Sequence, residues 1–162
     1  MARSRRSTVN VVFAALAVIG GCTDSADPTS STPASAQAGP SNATLRDPQV
    51  KARLRAAVLP HASSAGVASP ATMHAVAASD HQAAETIVSG STIDDHAPVY
   101  VVEMTGGPFT VPHRRPGAPA AHSDVMIVTV DAATYRVTDI GYPVEAPELS
   151  RIDPDEVDLL AP

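Results

Sequence analysis

The chain holds a single thiol, Cys22, placed directly after Gly20-Gly21 and the unbroken apolar run Val11-Val12-Phe13-Ala14-Ala15-Leu16-Ala17-Val18-Ile19. A thiol reacts as its thiolate, so Cys22 is the first residue to examine for chemistry. The two glycines before it leave the backbone there accessible. With no second cysteine, no intramolecular disulfide can form, and a Cys₂ or Cys₄ metal site is excluded.

The basic residues Arg3, Arg5 and Arg6, the short apolar run and the small residues after it follow the pattern of a secretory signal peptide. The run is well short of the ~20 residues a spanning helix needs. Ile19-Gly20-Gly21-Cys22 resembles the bacterial lipobox, an aliphatic residue and two small ones before the cysteine that becomes the mature N-terminus. The resemblance implies a diacylglyceryl thioether on Cys22, cleavage between Gly21 and Cys22, and often acylation of the freed amine. One acyl chain binds a membrane only marginally, whereas two or more hold it stably at ~0.8 kcal/mol per buried CH₂. The expected location is the extracytoplasmic face of the cell membrane, with the lipid bilayer as the first partner through acylated Cys22. The general secretory route is expected. Ser4-Arg5-Arg6-Ser7-Thr8-Val9 also resembles a twin-arginine signal in part, with Thr8 where that motif prefers a large apolar residue.

The six histidines are the other candidates for chemistry. His74 and His81, seven residues apart, would stack on one stripe of a continuous helix about 10 Å apart, too far to share an ion. Helical metal pairs need i and i+4, as in H-E-x-x-H. Asp94-Asp95-His96 offers suitable donors, but adjacent residues rarely chelate one metal. No metal site and no cofactor is therefore assigned from the sequence. There is no G-x-S-x-G and no S-x-x-K, and Gly106-Gly107 runs into Pro108 instead of a phosphate-binding loop. Ser89-Gly90-Ser91 reads as a helix stop. The expectation is no catalytic residue and no enzyme.

Phe109, His113, Arg114 and Arg115 form the best candidate partner loop, an aromatic and two guanidiniums among prolines that restrict the unbound chain. The expected function is a lipid-anchored, non-catalytic domain that binds an envelope protein or a cell-wall partner. The alternative is an extracytoplasmic metal- or pH-responsive protein built on the histidines.

Length and composition bound these readings. The 162 residues leave room for one small domain and a tether. The 44% hydrophobic share includes 29 alanines, with no Trp, two Phe and three Tyr, so the core is built from small side chains. Removing Arg3, Arg5 and Arg6 with the signal peptide takes the net charge from −6 to −9. That sign opposes binding to nucleic acid or to anionic headgroups, which need a basic face. The preference for arginine over lysine, with abundant alanine and proline, resembles the usage of high-GC bacteria.

Residues 23–42 contain nothing larger and apolar than alanine and cannot offset their ordering entropy by burial. The expected organisation is a signal peptide at 1–21, a Ser/Thr/Pro/Ala tether at 22–44, a small domain at 45–145 and an acidic irregular tail at 146–162. Asp47-Pro48 predicts a helix over 48–59, stopped by Pro60, with Val50, Leu54, Ala57 and Val58 on one stripe. Ser69-Pro70 repeats that start signal and predicts a helix over 70–88. Alternation predicts strands at 99–105, 125–131 and 135–142, with 109–111 as a short extension of the first. Tyr100, Val102 and Met104 should face Met126, Val128 and Val130 across an antiparallel pair. The fold class is thus α+β, one or two helices packed on a small antiparallel sheet of three to four strands.

Val99-Tyr100-Val101-Val102-Glu103 and Val130-Asp131-Ala132-Ala133-Thr134 resemble motifs of PepSY-like and cystatin-like domains over residues 73–140. The resemblance implies a non-enzymatic domain that modulates peptidases or envelope partners. The sequence departs from it at Tyr135, where those domains often continue with glycine, and in the long 112–123 loop.

Overall fold

Two apolar rows, alternating along the three central strands, give the sheet a buried surface on both faces. The computed structural model describes residues 40–112 and 119–162. Cys22, Gly21, the rest of the signal peptide, the tether up to residue 39, and His113, Arg114 and Arg115 lie outside the described residues. The elements in chain order are α1 (Asn42–Leu45), α2 (Pro48–Ser64), β1 (Thr72–Ala78), α3 (His81–Val88), β2 (Val99–Thr110), β3 (His122–Asp131) and β4 (Val137–Gly141). A 3₁₀ turn at Leu149–Arg151 and the short β5 (Val157–Asp158) complete them. The strands form one antiparallel sheet in the order β4-β3-β2-β1-β5. The α+β expectation holds, with five strands where three to four were expected. Among the described residues, no helix is long and apolar enough to cross a membrane.

The central pairing follows the expected register, with Tyr100, Val102 and Met104 opposite Val130, Val128 and Met126. These side chains join Met73, Ala75 and Ala77 under α1 and α2, where Leu45, Leu54, Val58 and Ala62 close the core. Leu54 and Val58 are fully buried, each contributing about 1.5–3 kcal/mol relative to exposure. The opposite face carries Val76, Ala78, Val99, Val101, Val125 and Ile127, covered by Ala84 of α3 and by Leu149.

Several expectations need correction. Helix α2 runs through Pro60 to Ser64. An interior proline costs about 3 kcal/mol, but the extra turn buries Ala62, Ala65 and Val67. It then ends in a Schellman motif: Gly66 has φ +97°, and the Val67 amide donates to the Ala62 carbonyl at 2.9 Å. The helix expected over 70–88 is instead strand β1 followed by α3. Alanine favours helix, but Met73 and Ala75 to Ala78 are buried on alternating sides, with β2 alongside the whole strand and β5 at His74 and Ala75, and packing overrides propensity. Asp80 makes the break, its Oδ1 accepting the Ala83 amide at 3.0 Å as the N-cap of α3.

The tether ends earlier than residue 44. Asn42 and Leu45 are buried, and the Asn42 Oδ1 accepts the Ala77 amide at 2.8 Å, where β1 has run past its neighbour β5. Strand β2 continues through Gly106-Gly107-Pro108 with a register shift between Thr105 and Phe109. The acidic tail is not irregular throughout: Leu149, Val157 and Leu159 are buried, and β5 pairs with β1 at His74 and Ala75. These three apolar side chains anchor a segment whose acidic residues face outward.

Candidate functional site

The side chain best placed for chemistry is His81, the first residue of α3, which is 2% exposed. The loop after α3 folds back across the helix start. The His81 amide donates to the Ala97 carbonyl at 3.0 Å and the Gln82 amide to the Asp95 carbonyl at 2.8 Å. Two side-chain pairs reinforce this brace, His81 Nδ1 with Asp95 Oδ2 at 2.8 Å and His96 Nδ1 with Asp80 Oδ2 at 2.9 Å. The Ala97 amide first, and then the His81 bond, hold the Asp95 carboxyl below its ordinary range. Asp80 is lowered likewise, first by the Ala83 amide and then by His96. Asp95 is therefore ionised near neutral pH and can only accept, which places a proton on His81 Nδ1.

The other ring nitrogen points to the sheet edge. His81 Nε2 lies 3.3 Å from Asp139 Oδ2 on β4, without the alignment of a hydrogen bond. Glu85, one helical turn beyond His81, completes the group: His81, Glu85 and Asp139 each bring a donor atom to within 4.8 Å of the others. Glu85 and Asp139 also line a cleft of about 370 Å³ between α3 and strands β3 and β4, whose walls include Ser89, Ser91, Thr129 and Tyr142. Among the described residues, the carboxylates that lie within 4 Å of a basic side chain, Asp80, Asp95 and Asp139, all meet a histidine. The arrangement can hold a divalent cation on one imidazole and two carboxylates, with a side open to the cleft.

The sequence candidates fall elsewhere. Phe109, expected on a partner loop, is fully buried on β2. Its ring fills the core end next to the bulge and offers no surface, so the loop loses its aromatic contact. His113, Arg114 and Arg115 lie outside the described residues, as do Cys22 and Gly21. His74 and His81 do not share a helix: His74 sits on β1 opposite Glu103 and Asp158. Glu103 is raised above its ordinary value, mainly by burial and next by Glu156. Glu85 and Asp139 had not been singled out. The signal for Glu85 was present, since His81 and Glu85 are i and i+4 on the expected 70–88 helix as on α3, but a lone His–Glu pair names no third donor.

No protein-family model matches this chain, and neither a curated protein nor a solved structure gives a significant match.

Proposed function

We propose that this protein is held at the extracytoplasmic face of the cell membrane by acyl groups on Cys22 and that its domain is a binding module rather than an enzyme. The observation that carries this reading is Ile19-Gly20-Gly21-Cys22, with the chain's one cysteine at the position a lipobox requires. A basic n-region precedes it, and a polar, small-residue segment separates it from α1. An acidic charge of −9 after processing keeps such a domain from adhering to anionic headgroups.

Replacing Cys22 by serine tests the anchor, because a hydroxyl is not alkylated. The Cys22→Ser protein should move from the detergent-extracted membrane fraction to the medium, and mass spectrometry of the native protein should find an acylated N-terminal Cys22. Membrane retention of the serine variant, or an unmodified N-terminus elsewhere, would contradict the anchor.

A second reading, a metal-responsive domain, is favoured by one observation: the buried His81 imidazole, with Nδ1 held by Asp95 and Nε2 unpartnered 3.3 Å from Asp139. It is compatible with the anchor and defines what the module binds.

A further inference from the structure

We infer that His81, Glu85 and Asp139 form a site for one divalent transition ion of the zinc class, oriented by Asp95 and open to the adjoining cleft. This deepens the metal-responsive reading and is independent of whether Cys22 is acylated.

Asp95 Oδ2 occupies the Nδ1 side of the His81 ring at 2.8 Å, which leaves Nε2 as the ring nitrogen that can meet a ligand. That nitrogen is buried, has no hydrogen-bond partner among the described residues, and faces the acceptor oxygen of Asp139 at 3.3 Å. A charge-assisted N–H···O bond closes to roughly 2.7–2.9 Å and is well aligned, and the observed pair is neither.

The distance fits a bridging ion better. Zinc binds imidazole nitrogen and carboxylate oxygen at roughly 2.0–2.2 Å in tetrahedral geometry, which sets neighbouring donors about 3.4 Å apart. His81 and Asp139 already stand 3.3 Å apart, on the helix start and the edge strand respectively. Glu85 lies on the same helix face one turn on, its carboxylate within 4.8 Å of both donors, and rotation of its side chain closes the remaining gap. The charge balance agrees: Asp95, Glu85 and Asp139 gather around a single imidazole, and a proton offsets only one of them.

The surroundings also match a metal centre. A ligating histidine commonly donates its second N–H to a carboxylate, which fixes the tautomer and strengthens the donor. Asp95 occupies that place and is held by the Ala97 amide through its other oxygen, at 2.9 Å. Three protein donors leave a fourth position, as in open zinc sites. Glu85 and Asp139 line the cleft, which has room for a water or a small ligand that joins the ion.

Calorimetric titration of the tag-free, metal-stripped full chain in detergent with zinc chloride tests the site, alongside the visible spectrum of the cobalt-loaded protein. One equivalent of zinc should bind with micromolar or tighter affinity, and cobalt should give the intense bands of four-coordinate geometry. Asp139→Asn and Glu85→Gln should each weaken zinc binding tenfold or more, and His81→Gln should abolish it. Because His81 is buried, the partly exposed Asp139→Asn variant, with an unchanged circular-dichroism spectrum, keeps the test valid if His81→Gln fails to fold. Absence of saturable uptake, or uptake unchanged in Asp139→Asn and Glu85→Gln, would overturn the proposal. Either result leaves the Cys22 experiment untouched.

Discussion

His81 at the start of α3 and Asp139 on the edge strand β4 meet with Nε2 standing 3.3 Å from Oδ2. The helix start is fixed by the Asp80 cap, and the strand is fixed by its pairing with β3, where Asp139 sits opposite Thr129. Neither side chain brings the other into place. Their approach is set by backbone elements that fold for other reasons, a feature of preorganised sites.

Asp95 is predicted to act through His81 rather than on the ligand. Asp95→Asn removes the charge that fixes the imidazole while retaining a similar shape, and zinc affinity should fall about 10–100-fold. The exposed His96, paired only with Asp80, serves as the comparison, and His96→Ala should leave zinc affinity unchanged. Parallel titrations of the two variants check this.

Glu103 should make the fold less stable as it ionises. Its folded pKa is raised, mainly by burial, so the unfolded chain loses the proton first. Stability therefore falls as pH rises through and beyond 4.5, the group's ordinary value. Glu103→Gln removes that penalty. Thermal melts should show the variant more stable near neutral pH, by at most about 1 kcal/mol after solvent screening, and no gain at pH ~3, where both states are protonated.

Gly106 is required twice over. Its φ is +97°, and a Cβ there would lie 2.7 Å from both Cβ and N of Ala71. Gly106→Ala should cost roughly 1–3 kcal/mol through backbone strain and overpacking, read as a lowered denaturant midpoint with unchanged slope.

Asn42 should prove structural. Its Oδ1 accepts the buried Ala77 amide at 2.8 Å, and loss of that acceptor leaves the amide unsatisfied at a cost of about 1–3 kcal/mol. Asn42→Ala should accordingly accelerate hydrogen exchange at Ala77 more than at Val101 in the centre of β2.

Much of the sheet was legible because strands β2 and β3 alternate plainly, and their register follows from matching apolar rows. Strand β1 was not, since Met73 to Ala78 is buried on both sides and its alanines carry no period that separates strand from helix. The cap at Asp80 was visible as a polar interruption on the expected helix, and reading it as a start would have placed His81 at the first turn of α3. Asp139 was beyond reach: only the sheet brings it from β4 to the start of α3. The buried tail was obscured by its charge, although Leu149, Val157 and Leu159 hold the positions that dock.

The central claim concerns where a metal ion sits. Crystals of the zinc-loaded full chain, measured on either side of the zinc absorption edge, should show an anomalous peak about 2.0–2.2 Å from His81 Nε2 and from Asp139 Oδ2, with Glu85 turned toward it. A map with no peak there, in which a protonated His81 hydrogen-bonds directly to Asp139, would contradict the account.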